Sequence, residues 1–327
     1  MGSQQSGMKI LFVTSTRIGD AVLSTGLLGH LVASHPEARI TIACGPDAAP
    51  LFEAVPNLER IIAVAKRPVA LHWPVLWGRT VASVWVRVVD LRGSALAWLL
   101  MARQRRAYRA DPRPMHRIER YAGVLGLSPP PAPHIWRKTA HEAAAERLIP
   151  PGAPTLALAP VANWPPKTWP AENFAELVRR LTGPAGILAG ARIAVFGSAN
   201  ERDAAAAVLG AVPRRRCVDL IGRIDLLTVS ACLARCALYV GNDTGLTHLA
   251  AASGVPTLAL FGPTNALHYA PWGERTAFVS TAVGYDELVT APGFDHRGSD
   301  NLMGSLGVDA VTEAAEALWR RSPQKAA

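Results

Sequence analysis

The segment with the clearest chemistry spans residues 238–263 and reads LYVGNDTGLTHLAAASGVPTLALFGP. Two apolar runs, typical of buried strands, enclose a polar turn and a small-residue run typical of a short helix. Asp243, Thr244 and Gly245 stand where this helix would begin. The open N–H groups and positive dipole end of a helix suit an anionic ligand such as phosphate, and Gly245 lets a ligand approach the backbone. The segment therefore predicts a nucleotide or nucleotide-sugar site.

A second polar segment, residues 14–20, follows the first predicted strand and ends in Gly19 and Asp20. Asp20 fits the N-cap of the next helix, a common place for aspartate. It is also a candidate general base, because Gly19 beside it would let a second ligand approach. The residues alone leave both interpretations open.

Two more polar loops follow predicted strands in the second half of the chain. Lys167 lies in a loop bounded by two prolines and two tryptophans, which suits a fixed charge against a diphosphate, although a surface lysine is the alternative. Glu201 follows another strand, where it would either accept ribose hydroxyls or favour a helix start. His248, one turn into the helix of residues 238–263, is either a satisfied polar residue or a phosphate contact.

Several familiar catalytic signatures are absent from the sequence. It has no G-x-x-x-x-G-K-[ST] loop, no G-x-G-x-x-G fingerprint, no H-E-x-x-H and no G-x-S-x-G. Nucleoside triphosphate hydrolysis, hydride transfer, zinc proteolysis and serine hydrolysis therefore lose support. An Asp-x-Asp metal clamp is also missing, and the four cysteines show no metal-ligand spacing.

The charge is concentrated in the first half. Residues 1–150 hold 19 Lys and Arg against 10 Asp and Glu, whereas residues 151–327 hold 15 of each. This excess is either a solvated face of an arginine-rich protein or a surface for an anionic partner. Tryptophans just upstream of the arginines fit either membrane-interface docking or burial in a core: Trp73, Trp77, Trp85 and Trp98.

The elements that must position these residues alternate between strand and helix. Predicted strands cover residues 9–14, 39–44, 60–64, 83–90, 155–159, 192–196, 238–240 and 257–261. Predicted helices cover residues 20–34, 48–55, 96–106, 171–181, 200–209 and 226–234. Proline-rich stretches at 128–133 and 150–154 predict a linker. The fold class is therefore α/β, with two doubly wound domains, residues 8–150 and 151–320, facing a central cleft.

These features together resemble the bacterial heptosyltransferases of glycosyltransferase family nine. The resemblance rests on the motif of residues 240–252, VGNDTGLTHLAAA, with LALFGPT after it, and on RIGD at 17–20, DLRG at 90–93 and KTWP at 167–170. It implies a GT-B fold, in which two Rossmann-like domains bind the nucleotide-sugar donor (residues 151–320) and the acceptor (residues 8–150). It also implies metal-independent, inverting transfer of heptose from ADP-heptose to the lipopolysaccharide inner core. The ADP-sugar would be a substrate, and no cofactor is expected.

The resemblance carries roles onto particular residues. Asp20 becomes the proposed catalytic base, Lys167 contacts the donor diphosphate and Glu201 holds the ribose. The remaining donor-binding candidates are Asn163, Asp243, Thr244, Gly245, Leu246 and His248. Candidates for binding an anionic lipopolysaccharide-core acceptor are Arg17, Gly19, Arg92, Arg117 and Arg120.

The resemblance also implies a location and partners. A cytoplasmic enzyme is expected, with peripheral contact to the inner membrane left open and with no nucleic-acid partner. Residues 280–304 contain no cysteine, where many family members have them, and form either a substrate loop or a solvated one. The charged candidates in that loop are Asp286, Glu287, Asp295, His296 and Asp300.

Three alternatives remain beside heptose transfer. The same fold could use another nucleotide sugar, or it could act as a nucleotide-sugar epimerase or hydrolase. A third alternative is a non-enzymatic protein that binds anionic ligands through its basic half.

Overall fold

The computed structural model describes residues 7–66, 68–291, 294–295, 298 and 301–322. The chain divides into two compact units, one ending at Arg137 and the other beginning at Lys138. No helix among the described residues has the length and apolar character needed to cross a membrane.

The first unit is built on a five-stranded parallel sheet with the order β3-β2-β1-β4-β5. Its elements are β1 (Lys9–Val13), α1 (Ile18–Ser34), β2 (Arg39–Cys44), β3 (Leu58–Ala63), α2 (His72–Thr80), β4 (Trp85–Asp90), β5 (Ala102–Ala107) and α3 (Arg117–Leu125). The central strand β1 is buried from Ile10 to Val13, so it reads as one continuous apolar run.

The second unit is built on a six-stranded parallel sheet with the order β11-β10-β9-β6-β7-β8. Its elements are α4 (Thr139–Leu148), β6 (Thr155–Ala159), α5 (Ala171–Thr182), β7 (Arg192–Val195), α6 (Arg202–Ala211), β8 (Cys217–Asp219), α7 (Leu226–Ala234), β9 (Leu238–Asn242), α8 (Gly245–Ala252), β10 (Thr257–Phe261), α9 (Ala266–Tyr269), β11 (Thr276–Ser280), α10 (Tyr285–Thr290) and α11 (Val308–Arg321).

The predicted α/β class with two doubly wound sheets is confirmed. The strand order reverses direction between β1 and β4 in the first sheet and between β6 and β9 in the second. Ligands of such sheets bind beyond the carboxyl ends of the strands at this reversal, because the crossing connections leave a crevice there. The residues that follow β1, β4, β6 and β9 are therefore the ones that the fold places for binding.

The predicted basic helix over residues 96–106 is wrong. A short 3-10 helix, Ala95–Trp98, is followed by β5, which pairs in parallel with β4 at the edge of the sheet. Arginine spacing in this segment suits either structure, and pairing with β4 decides for the strand. Arg105 fixes the connection by donating from Nε to the Ala97 carbonyl at 3.0 Å and from Nη2 to the Leu100 carbonyl at 2.8 Å.

The proline-rich stretch 128–133 packs on the first unit. His134 N donates to Thr25 Oγ1 of α1 at 3.0 Å, and the carbonyls of residues 131 and 132 lie over Gly26 of the same helix. The next helix, α4, belongs to the second unit, where Arg235 Nε donates to the Ile149 carbonyl at 2.7 Å. The division between units therefore precedes α4, whereas the sequence-based boundary at residue 150 follows it.

This packing predicts opposite effects of alanine at two glycines of α1. A Cβ on Gly26 would lie 2.6 Å from the Ala132 carbonyl oxygen, whereas a Cβ on Gly29 would meet the Trp136 side chain at 3.8 Å. Gly29→Ala should raise the free energy of unfolding by up to about 1 kcal/mol through helix propensity. Gly26→Ala should lower it by about 1–3 kcal/mol through overpacking. Thermal unfolding of both variants measures this, and a stabilised Gly26→Ala would contradict the packing.

Candidate functional site

The strand reversal of the second sheet brings a lysine and an aspartate together. Lys167 ends the 3-10 turn Pro165–Lys167 after β6, and Asp243 directly follows β9. Lys167 Nζ donates to Asp243 Oδ2 at 2.6 Å and to the Asp243 carbonyl at 3.2 Å. Only 16% of the lysine side chain and 5% of the aspartate side chain are exposed. A largely buried cation is tolerated here because a carboxylate and a carbonyl replace its lost water.

Asn242 braces both loops of this ion pair. Its Oδ1 accepts from the Trp169 N–H at 3.0 Å, and its Nδ2 donates to the Pro160 carbonyl at 2.9 Å. Trp169 in turn is fully buried and donates from Nε1 to the Leu306 carbonyl at 2.8 Å. No role was predicted for Asn242, although it lies inside the motif of residues 240–252. The available signal was an amide at the end of an apolar strand, where burial demands hydrogen-bond partners.

The beginning of α8 lies directly after Asp243. Thr244 is the N-cap residue in extended conformation, and the helix begins at Gly245. Thr247 ties this turn to β9, because its Oγ1 donates to the Asn242 carbonyl at 2.5 Å and contacts Tyr239 Oη at 3.0 Å. Burial raises the pKa of Tyr239, so the phenol stays neutral. The first N–H groups of α8 have no carbonyl one turn before them, and such groups at a helix N-terminus suit an anionic ligand.

His248 joins the same cluster. Its Nε2 lies 3.8 Å from Asp243 Oδ1, and 5% of its side chain is exposed. One carboxylate thus faces Lys167 with one oxygen and His248 with the other. The structure therefore brings together Lys167, Asp243 and His248, with Thr244, Gly245 and Leu246 at the adjoining helix start.

Two other donor-binding candidates stand apart from this cluster in their contacts. Glu201 ends the 3-10 turn Ala199–Glu201 after β7, and its Oε2 accepts from the Ser198 N–H at 2.7 Å. This contact caps the turn, which is the helix-start alternative for Glu201. Asn163 is exposed in the loop after β6. Neither side chain hydrogen-bonds to Lys167 or Asp243 in the described part of the chain.

In the first unit, Asp20 lies inside the first turn of α1. The N-cap of that helix is Arg17, so the interpretation of Asp20 as the cap is wrong. Asp20 Oδ1 lies 3.5 Å from Arg117 Nε at the start of α3, and the two side chains are 20% and 27% exposed. Gly19 precedes Asp20 in the helix, and the Arg17 side chain is exposed. The structure therefore pairs a predicted base with a predicted acceptor-binding arginine.

Arg92 follows β4 at the strand reversal of the first sheet. The buried Asp90 accepts from the Arg92 and Ser94 N–H groups at 2.8 and 2.9 Å, which shapes this turn. Burial raises the pKa of Asp90 and lowers the pKa of Arg92. The Arg92 guanidinium lies 4.5 Å from the Trp73 ring centre, and its Nη2 lies 3.3 Å from His72 Nε2. These two aromatic partners were not foreseen from the sequence.

Arg120 has a positioning role in its own loop. Its Nη2 donates to the Arg113 carbonyl at 3.0 Å, and its Nε donates to the Met115 carbonyl at 3.4 Å. These contacts hold residues 113–115 in front of α3.

The candidate loop in residues 280–304 is described in part. Asp286 and Glu287 lie in the first turn of α10, whereas His296 and Asp300 lie outside the described residues. Across the described ranges, no three His, Cys, Asp or Glu side chains group as metal ligands would.

Comparison with known proteins identifies the family to which the sequence is similar. The model of glycosyltransferase family 9 (heptosyltransferase) matches residues 92–290, which is more than half of the chain. Lipopolysaccharide heptosyltransferase 2 of Salmonella typhimurium is 24% identical over 320 residues, covering 86% of this chain and 90% of that protein.

Two solved structures share the fold over nearly the whole length. A family 9 glycosyltransferase from Veillonella parvula has a TM-score of 0.80 at 21% identity, covering 98% of this chain and 99% of that one. E. coli ADP-heptose lipopolysaccharide heptosyltransferase II has a TM-score of 0.73 at 21% identity, covering 96% and 99%. At these identities the likeness shows a common fold.

The bracing by Asn242 predicts a stability effect at the site. Asn242→Ala leaves the Trp169 N–H and the Pro160 carbonyl without partners in a buried place. Each such group costs about 1–3 kcal/mol, so the free energy of unfolding should fall by about 2–6 kcal/mol. Asn163→Ala, in the exposed part of the same loop, should change it by less than about 0.5 kcal/mol. Thermal unfolding compares the two, and equal unfolding temperatures would refute the bracing.

Proposed function

The chain belongs to glycosyltransferase family 9, and we propose that it transfers heptose from ADP-heptose to the inner core of lipopolysaccharide. The observation that carries the proposal is the ion pair of Lys167 and Asp243 beside the open N-terminus of α8. Such a site suits the diphosphate of a nucleotide sugar. The names of similar proteins, lipopolysaccharide heptosyltransferase 2 and ADP-heptose lipopolysaccharide heptosyltransferase II, support the choice of donor and acceptor.

The donor would be held mainly by fixed charges and dipoles. Asp243 takes up two of the three N–H donors of Lys167, so the ammonium is oriented and one donor remains for a phosphate oxygen. We propose that Thr244, Gly245 and Leu246 present backbone N–H groups to the diphosphate, with His248 beside them. Glu201 would accept ribose hydroxyls, and Asn163 would contact the donor from its exposed loop.

The proposed chemistry is a single displacement. The acceptor hydroxyl oxygen attacks the anomeric carbon, the bond from that carbon to the phosphate oxygen breaks, and the configuration inverts. Negative charge develops on the departing ADP, where Lys167 and the α8 N–H groups stabilise it without reorganising. Asp20 would accept the hydroxyl proton, with Arg117 orienting its carboxylate. We propose a metal-independent reaction without a cofactor, as the resemblance to the family implies, and the lack of an Asp-x-Asp clamp in the sequence is consistent with this.

The acceptor would be the anionic core of lipopolysaccharide. Arg92, fixed against Trp73, is suited to a phosphate or carboxylate, since its guanidinium is already oriented and partly desolvated. Arg17, Gly19 and Arg117 would line the approach to Asp20, and Arg120 would act by holding its loop. We propose a cytoplasmic location at the inner membrane, where a lipid-linked acceptor is accessible.

A variant of Asp20 tests its proposed role as the catalytic base. Asp20→Asn keeps the shape of the side chain but cannot take up the proton, so kcat should fall by a factor of about 100–10,000. Release of ADP from ADP-heptose with a deacylated core acceptor measures the rate.

The control is binding of ADP, which the variant should retain within about threefold if its fold is intact. Unimpaired turnover by Asp20→Asn would overturn the assignment of the base. The unaltered protein is also assayed with ADP-heptose in competition with UDP- and GDP-linked sugars. Absence of heptose transfer in this assay would overturn the proposed donor or the proposed reaction.

A variant of Lys167 tests its proposed contact with the donor diphosphate. Lys167→Met removes a charge-assisted hydrogen bond, so ADP affinity should fall by about 10–100-fold. Isothermal titration with ADP measures this. Lys138→Met, which removes an exposed lysine of the same unit, is the matched control and should leave affinity unchanged. Equal affinities of the two variants would contradict the contact.

A further inference from the structure

Large apolar side chains are exposed mainly in one part of the first unit. Nine such side chains are exposed among the described residues, and seven of them lie between residues 69 and 101. These seven are Val69, Leu71, Trp77, Val84, Trp98, Leu99 and Met101. Trp98 and Leu99 are 60% and 63% exposed, which is costly in water unless another surface covers them.

Four of these residues, here termed the tryptophan face, lie on α2 or in the segment just before β5: Trp77, Trp98, Leu99 and Met101. Trp77 Nε1 donates to the Leu99 carbonyl at 3.3 Å, which joins α2 to the connection before β5. An apolar cavity of about 420 Å³ opens between Trp73, Trp77, Leu96 and Leu99. Trp77 and Leu99 therefore line a recess, and Trp98 and Met101 are exposed close to Leu99 in sequence.

Hydrogen bonds from Arg105 hold the backbone next to Trp98 and Leu99 of the tryptophan face. Arg105 donates to the carbonyls of Ala97 and Leu100, on either side of Trp98 and Leu99. The backbone therefore cannot easily fold these side chains inward. The neighbouring Trp85 differs, since it is fully buried and donates from Nε1 to the Thr80 carbonyl at 3.1 Å. Of the four tryptophans in this region, Trp85 serves the core, and Trp77 and Trp98 face outward.

The same stretch of chain is strongly basic. Residues 60–109 contain ten Lys and Arg and one acidic residue, Asp90, which is buried. Arg79, Arg103 and Arg106 are exposed and flank the tryptophan face in sequence. Exposed aromatic and aliphatic side chains with exposed arginines close in sequence are typical of the interface of an anionic bilayer, where indoles lie at the headgroups and guanidinium groups bind phosphates.

We propose that the tryptophan face docks on an anionic phospholipid bilayer. Trp77, Trp98, Leu99 and Met101 enter the interface, while Arg79, Arg103 and Arg106 bind lipid phosphates. A second copy of the chain is disfavoured, since it would bring two equally basic surfaces together. Nucleic acid would leave Leu99 and Met101 without an apolar partner. The inference rests on the proposed location at the membrane and does not depend on the proposed reaction.

Docking would also serve the acceptor site. Trp73 lines the recess beside Trp77 and Leu99, and its ring packs against the guanidinium group of Arg92, a candidate for binding the acceptor. A lipid-linked acceptor held in the same bilayer would thus meet Arg92 at the edge of the docked surface.

The test is sedimentation of the full chain with vesicles. Phosphatidylethanolamine vesicles containing phosphatidylglycerol should bind the protein, and phosphatidylcholine vesicles should bind it much more weakly. The double variant Trp98→Ser, Leu99→Ser should bind the anionic vesicles at least about tenfold more weakly than the unaltered protein, because it removes apolar area from the interface. The matched control, Leu267→Ser, Phe278→Ser, changes the two large apolar side chains that are exposed among the described residues of the second unit and should bind normally.

A charge variant tests the lipid headgroup contact. Arg103→Gln, Arg106→Gln should weaken binding to anionic vesicles about tenfold, and added salt should have a similar effect. Equal binding to both vesicle types, or equal losses in the Trp98/Leu99 and control variants, would overturn the proposal. So would a dimer in size-exclusion chromatography that the Trp98/Leu99 variant dissociates.

Turnover on a water-soluble, deacylated acceptor separates this proposal from the enzymatic one. The Trp98/Leu99 variant should keep that turnover unchanged while losing vesicle binding. Loss of both together would show a defect in folding or catalysis and would count against a docking role.

Discussion

The candidate site of the second unit depends on the placement of one largely buried cation, Lys167, against Asp243. A lysine that is 16% exposed loses most of its hydration, and the ion pair at 2.6 Å replaces it only if both loops are held in place. Asn242 does this by hydrogen-bonding to backbone groups of the loop that contains Lys167, while Thr247 fixes the turn after β9. The start of α8 is thereby set beside an oriented ammonium group. Charge, dipole and backbone N–H groups then favour the same kind of ligand, an oxyanion.

Both units place their polar residues by the same topological rule. In each sheet the strand order reverses once, and the loops at that reversal carry the residues with candidate roles. In the second sheet these loops hold Lys167 and Asp243. In the first sheet, Asp20 lies in the first turn of α1, directly after the loop that follows β1, and Arg92 lies in the loop after β4. The electrostatic character differs, because the second unit arranges a paired cation whereas the first exposes an excess of arginines, as a partner with several anionic groups would require.

The sequence allowed good prediction where burial alone decides structure. The strands β2, β6 and β10 and the helix α7 have the predicted bounds, since each reads as an apolar run with clear ends. Residues 96–106 failed, because arginine suits a helix surface and an edge strand alike, and only pairing with β4 distinguishes them. Several elements were not predicted at all: α2, α3, α4, α9, α10, α11, β8 and β11. Asp20 was also misplaced as a cap, because the helix begins two residues earlier, at Ile18. Contacts such as Arg92 with Trp73 depend on tertiary packing, which no local pattern encodes.

The most direct test of the central claim is a double-mutant cycle on ADP affinity with Lys167→Met, Asp243→Asn and their combination. If Asp243 acts by orienting Lys167, Asp243→Asn should weaken ADP binding by about tenfold when Lys167 is present. In the Lys167→Met background the same change should weaken it no further, since only a nearby negative charge is removed. Equal weakening by Asp243→Asn in both backgrounds would contradict the account and assign Asp243 a direct contact with the ligand instead.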